Sequence, residues 1–298
     1  MIFPDFLQKK DAIVIVAPAN AVCSEEINPA IEIFKSWGLE VILSKNLFNI
    51  HHTFAGTDEE RLEDLQNAID DQKIKAIVCA RGGYGTARII DKLDFSQFIK
   101  NPKWLVGFSD ITILHTHLHQ LSIASIHGSM PLLFPKQTKA AIQSLKNTLF
   151  GHHVQIKTIP HLLNQKGKAK GVLIGGNLSL LVSSLGTKSE INTENKILFL
   201  EDVNEYVYHL DRMIVQLYRA NKLKNLAGLV IGQFSEVKDN LKGFGASVEQ
   251  TIIEWTKFYQ YPIAFNFPIG HEEHNISVIC GKEMNLIVGE NESILFDE

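Results

Sequence analysis

Three short segments of the chain combine residue types that can carry out acyl transfer. In WLVGFSDITILH, Trp104 to His115, an apolar run ends in Gly-Phe-Ser-Asp and a helical pattern begins at once. A serine on a tight strand-to-helix turn projects from the carboxyl edge of a sheet, beside backbone N–H groups able to bind an oxyanion. Ser109 is therefore a candidate nucleophile. Ile111 stands where a GxSxG motif would have its second glycine, however, and the hydroxyl could equally do no more than cap the helix. In the second segment, Lys196 to Leu217, the buried run Ile197 to Leu200 ends in Glu201 and Asp202. A carboxylate at the tip of a core strand is costly to desolvate, so Glu201 needs a partner: a catalytic group or simply a lysine or arginine. In the third, NFPIGHEEHN from Asn266 to Asn275, His271 follows Gly270 in a loop that can present its imidazole as a base. Serine, glutamate and histidine occur in the chain order of the α/β-hydrolases, although triads are defined by geometry and not by order.

A fourth segment, CARGGYGTARII from Cys79 to Ile90, again runs from strand to helix, through glycines. Glycine accepts positive φ, so the backbone here can come close to a ligand, either to cradle phosphate or to supply an oxyanion donor. The loop lacks the Walker lysine and the GxGxxG spacing, which disfavours a nucleotide. Arg81 and Tyr84 are candidates for substrate contact, with a solvated Arg81 on a plain tight turn as the alternative. Metal chemistry is not expected. HEEH, His271 to His274, is not HExxH, and His115, His117 and His119 have no nearby acidic or cysteine co-ligand, so a solvated or packed helix face explains them better. No cofactor is implied.

The 298 residues carry 29 basic and 33 acidic groups, a formal charge of −4, with no Lys/Arg block for a phosphate backbone to engage; nucleic acid is not an expected partner. The apolar run at Ala12 to Ala17 is too short for a bilayer and has no basic stretch before it, so neither a signal peptide nor a membrane anchor is read. Cys23, Cys79 and Cys280 are odd in number and widely spaced, which fits a reducing cytoplasm better than a disulfide framework.

The elements that must position these segments follow from hydrophobic period. Strand candidates at Ile13 to Val16, Val41 to Leu43, Ala76 to Cys79, Trp104 to Val106 and Ile123 to Ile126 alternate with helices near Pro29 to Trp37, Asp58 to Asp70 and Ile111 to Gln120. Thr57 and Glu60 form a capping box for the second helix. This predicts an α/β unit with a parallel, Rossmann-like or flavodoxin-like sheet over residues 1–135. A helix near Lys139 to Leu149 and the polar HLLNQKGKAKG stretch make residues 136–170 a linker. Residues 171–298 then form a smaller, mixed, β-rich domain. Its strands lie near Val172 to Ile174, Ile197 to Leu200, Leu229 to Gln233, Ile276 to Cys280 and Leu286 to Val288, and its helices near Leu178 to Leu185, Leu210 to Arg219 and Ser247 to Lys257. Nucleophile and acid–base pair would then meet across an interdomain cleft.

Six ordered motifs resemble the LD-carboxypeptidase family, also called muramoyltetrapeptide carboxypeptidases: VAPA (Val16 to Ala19), RGGYG (Arg81 to Gly85), GFSDIT (Gly107 to Thr112), GGNLSLL (Gly175 to Leu181), LEDVNE (Leu200 to Glu205) and PIGH (Pro268 to His271). The resemblance implies a Ser-Glu-His triad of Ser109, Glu201 and His271. In such a mechanism the N–H of Asp110, next to the nucleophile, and one from Gly82 or Gly83, Gly83 being preferred, would bind the oxyanion. The resemblance also implies hydrolysis of the bond between diaminopimelate and terminal D-alanine of murein tetrapeptides during peptidoglycan recycling, by a cytoplasmic homodimer. One departure is ISVICGKEMN after the histidine loop, where the family leads one to expect a proline-containing stretch. The relatives that confer self-immunity to microcin C, which cut aminoacyl or peptidyl adenylate analogues, are the alternative. They would need aromatic stacking for the base, and His152 to Lys170 contains no Trp, Tyr or Phe. A non-catalytic protein holding a phosphorylated ligand is a third reading.

Overall fold

Alternating side chains on the first strands divide two cores between the faces of one sheet. The computed structural model describes residues Met1 to Glu298. Its strands are β1 (Ala12–Val16), β2 (Glu40–Leu43), β3 (Ile74–Cys79), β4 (Trp104–Gly107), β5 (Ser125–His127), β6 (Gln155–Thr158), β7 (Gly167–Asn177), β8 (Ile197–Val203), β9 (Gly228–Ser235), β10 (Ile263–Ala264), β11 (Val278–Cys280), β12 (Glu283–Val288) and β13 (Ser293–Phe296). Ile13 and Ile15 face Phe34 and Trp104, while Val14 and Val16 face Leu65 and Phe98. Apolar side chains on both faces require helices on both faces, which is why the pairing β2-β1-β3-β4-β5 is parallel throughout. That is the flavodoxin-like order, with its reversal between β1 and β3, the place where such sheets leave a crevice.

The second sheet runs β10-β9-β8-β7-β12-β13-β6; β7 to β10 are parallel and the remainder antiparallel. Ile197 and Phe199 of β8 face one core and Leu198 and Leu200 the other. The fold is thus a mostly parallel α/β sheet beside a mixed, β-rich one. No helix is long and apolar enough to cross a membrane.

Several elements differ from the sequence reading. The strand expected near Ile276 to Cys280 does not join the second sheet: β11 pairs antiparallel with β5 at the edge of the first. Its Val-Ile-Cys run suits any buried edge, and period alone cannot choose between two sheets. β7 is 11 residues long and starts at Gly167, inside the polar stretch, because Lys168 and Lys170 alternate outward while Ala169 pairs opposite Leu286 of β12. The short strands β6, β10 and β13 were not anticipated. The first helix begins at Ser24, where Glu26 accepts the Cys23 N–H at 2.8 Å; cysteine is an inconspicuous residue at a helix start. The Thr57/Glu60 capping box forms as read.

Candidate active site

Ser109 follows β4 and opens a single 3-10 turn, Ser109–Ile111, that leads into the helix Thr112–Gln120. Its φ is +62°, a left-handed value rare for a residue with a Cβ. Such a turn lifts the side chain off the sheet edge at a cost of about 1–3 kcal/mol, strain of the kind that gathers at functional sites. No side chain caps this turn, since its N-cap residue, Phe108, makes no cap hydrogen bond. Behind it, His115 takes part in hydrogen bonds of 2.8 Å with the Gly107 carbonyl and with Ser125 Oγ, bracing the strand end. Burial pushes the His115 pKa down to about 4, so the imidazole is neutral. The histidine-rich helix is therefore packed: His117 bonds Ser189 Oγ at 3.0 Å, and His119, also mostly buried, is pushed down to about 4.

Glu201 is on β8, fully buried at 0% exposure, and its partner is His271: the Nδ1–H of the imidazole donates to Oε2 at 2.6 Å. A carboxylate can only accept, so Nδ1 carries the proton and Nε2 is left as the basic atom. Burial lowers the His271 pKa, but the charge and hydrogen bond of Glu201, with Asp202 and Glu236 further off, outweigh it and leave the group raised. Asp202 points the other way, accepting from Asn177 Nδ2, Ser179 N, Ser179 Oγ and Val203 N. Burial and the Glu201 charge raise its pKa against those bonds. His271 is presented by a turn in which Gly270, at φ +143°, donates its N–H to Asn275 Oδ1 at 3.1 Å. His274 turns away to Thr138 Oγ1 at 3.0 Å, so the two histidines of HEEH share no ligand position.

Contacts between the sheets bring the segments together. Thr112, three residues past Ser109, accepts the Asn177 N–H at 3.1 Å on its Oγ1; Asn177 ends β7, in register opposite Glu201 of β8. The His271 ring in turn lies 4.7 Å from the ring of Phe108, next to Ser109. This circuit closes around the Ser109 segment, with no direct bond from His271 to Ser109 Oγ; free enzymes often tighten such a bond only when substrate is present. Buried His127 sits behind it, between Phe108 and Phe199, with burial holding its pKa well below the usual value.

The glycine loop packs against the same turn. A Cβ on Gly82 would lie 3.1 Å from Ser109 Cβ and 3.3 Å from Asp110 N. Gly83 has φ +107° and its neighbour Tyr84 donates its N–H to Asn20 Oδ1 at 3.2 Å. Asp110 is buried; its carboxylate accepts the Thr86 N–H at 2.9 Å, and burial raises its pKa. Arg81 is not simply solvated, since Nη1 donates to the Ala21 carbonyl at 3.0 Å. Tyr84 is 52% exposed, its ring beside Phe54. Sequence reasoning missed Asn275, Glu236 and Asn20. Only Asn275 lay in a segment singled out for chemistry, and a loop asparagine gives no sign of which N–H it will accept.

The profile of the LD-carboxypeptidase N-terminal domain matches residues 13–128, and that of the C-terminal domain residues 170–286. The chain belongs to the LD-carboxypeptidase family. As a member it is a hydrolase of the carboxypeptidase type, from a family of serine peptidases. It is 36% identical to a probable murein peptide carboxypeptidase of Bacillus subtilis (strain 168), over 98% of this chain and 93% of the relative. A solved structure of muramoyltetrapeptide carboxypeptidase from Oxalobacter formigenes superposes with a TM-score of 0.88 at 28% identity, covering 96% of this chain and 98% of that one. The microcin C7 self immunity protein MccF shares the fold, with a TM-score of 0.87 at 17% identity, 99% of this chain and 98% of the other being covered.

Proposed function

We propose that this family member is a serine carboxypeptidase that hydrolyses the L,D bond between diaminopimelate and the terminal D-alanine of murein tetrapeptides in peptidoglycan recycling. The observation that carries the chemistry is the 2.6 Å Glu201–His271 bond beside a serine held at positive φ. The substrate rests on the named activities of the relatives. In this reading His271 Nε2 takes the Ser109 proton as Oγ attacks the carbonyl of diaminopimelate. Glu201 holds the imidazole in its tautomer and stabilises the cation formed. The N–H groups of Asp110 and Gly83 bind the tetrahedral oxyanion. The adduct collapses as His271 returns the proton to the D-alanine nitrogen, leaving an ester on Ser109. Water, deprotonated by the same Nε2, then cleaves the ester, and Ser109 recovers its proton. Arg81 and Tyr84 remain proposed substrate contacts, and a cytoplasmic homodimer is the expected working form.

The test is release of D-alanine from L-Ala-γ-D-Glu-meso-diaminopimelate-D-Ala with EDTA present, with Ser109→Ala alongside. Release by the parent protein alone is expected. Release that survives Ser109→Ala would assign the wrong nucleophile; no release at all would reject the tetrapeptide and turn attention to adenylate-linked amides.

A further inference from the structure

The reversal of strand order between β1 and β3 places two loops side by side: residues 17–20 after β1 and 80–85 after β3. Between them lies a charged side chain with no access to water. Arg61, from the helix Asp58–Asp70, has 0% side-chain exposure. Its Nη1 donates to the Pro18 carbonyl at 2.6 Å and to the Gly85 carbonyl at 3.0 Å, one acceptor in each loop. Nη2 pairs with Asp58, and the guanidinium stacks 4.9 Å from the centre of the Phe54 ring.

The loops are shaped around this group. A Cβ on Gly85, φ +146°, would come within 2.6 Å of Arg61 Nη1, and one on Gly83 within 2.5 Å of the Asn20 carboxamide. Asn20 bridges the loops as well, donating its N–H to the Gly82 carbonyl at 3.3 Å and accepting the Tyr84 N–H. Two glycines of RGGYG thus owe their identity to Arg61 and Asn20. Since Gly82 packs directly on Ser109 and Asp110, whatever holds the loops also sets the distance from the Gly83 amide to the nucleophile. Core stability gives no reason to bury a guanidinium here, since apolar groups of similar volume commonly serve as well. Its planar fork can hold two carbonyls in a fixed relation, which a lysine ammonium does poorly.

We infer that Arg61 is a positioning residue for the reaction: it clamps the two loops at the switch point so that the glycine-loop N–H is aligned with the developing oxyanion and not with the ground-state carbonyl. The inference rests on the mechanism proposed above. A donor displaced by a fraction of an ångström should weaken transition-state binding and spare substrate binding.

The test uses the full-length protein with Arg61→Lys, Arg61→Met and Arg61→Ala. D-Alanine release from the tetrapeptide is measured together with the rate at which a fluorophosphonate labels Ser109, a reaction that displaces fluoride and places the phosphonyl oxygen in the oxyanion site without needing the right peptide. In folded Lys and Met variants kcat and the labelling rate should fall by about ten- to a hundredfold while KM stays within about threefold. Added guanidinium should restore part of the loss in Arg61→Ala. Wild-type kcat and labelling in a folded Lys or Met variant would overturn the inference, as would a loss that appears only in KM. If all three variants unfold and guanidinium restores neither fold nor labelling, Arg61 is a folding residue and the inference fails. If the parent protein labels at Ser109 but releases no D-alanine, the tetrapeptide reading fails while the labelling rates still decide the role of Arg61.

Discussion

Around Ser109 the constraint is carried by the backbone: a residue at φ +62°, a glycine loop packed on it, and a buried cation gripping loop carbonyls. Around His271 it is carried by charge, through a carboxylate without solvent contact, a 2.6 Å hydrogen bond and a second acid beside the first. The Ser109 half of the site is therefore arranged by conformation, and the His271 half by electrostatics. A hydroxyl needs only to be aimed. An imidazole must also have its tautomer chosen and its basicity set, and only a charged partner does both.

The largest effect that could break this contrast is neutralisation of the acid without change of shape. Glu201→Gln should stay folded, with circular dichroism and unfolding temperature near the parent, and lose about 10⁴-fold in kcat, because an amide can stabilise the wrong tautomer. A loss below tenfold would remove Glu201 from the mechanism.

Next in size is pH dependence. In the proposed mechanism His271 must be neutral to accept the Ser109 proton, and its pKa is raised, so activity should fall as pH drops through a value above the ordinary 6.5 or so. The residual activity of Glu201→Gln should have its acid limb at lower pH, since the group that raised the pKa has lost its charge. A limb that stays put would mean that some other group titrates.

The smallest effect belongs to the backbone side. Glycine has no Cβ to clash at positive φ, so Ser109→Gly should be more stable than Ser109→Ala, by about 1–2 kcal/mol before the entropy of glycine is deducted. Both variants should be inactive. Chemical denaturation of the pair measures the strain at position 109 directly, and equal stabilities would remove it from the comparison.

Much of the arrangement was legible in the chain. The β-branched runs at Ile13, Ala76 and Trp104 sit between amphipathic helices, which requires a parallel sheet whatever the loops do, and Gly-Phe-Ser-Asp at the end of one run puts a serine at the carboxyl edge. An apolar run ending in Glu201 demanded a partner, because desolvating a carboxylate is expensive; that demand could be read without knowing who would answer it. The VIC run of β11 was visible as a strand, yet its place beside β5 was not, because burial pattern records that a strand is covered and says nothing of which sheet covers it.

Local order along the chain thus determined the strands, the turns and the residue types available at their ends, since period, capping and glycine conformations are properties of a few neighbouring residues. Which groups meet was decided only in three dimensions. Glu201 could have paired with any cation, Arg61 lies in a charged helical stretch like any other, and Asn275 in an ordinary loop. Their contacts join residues 70, 24 and 5 positions apart, respectively. Hydrogen bonds and desolvation act through space, and the sequence specifies that space only after both sheets have packed.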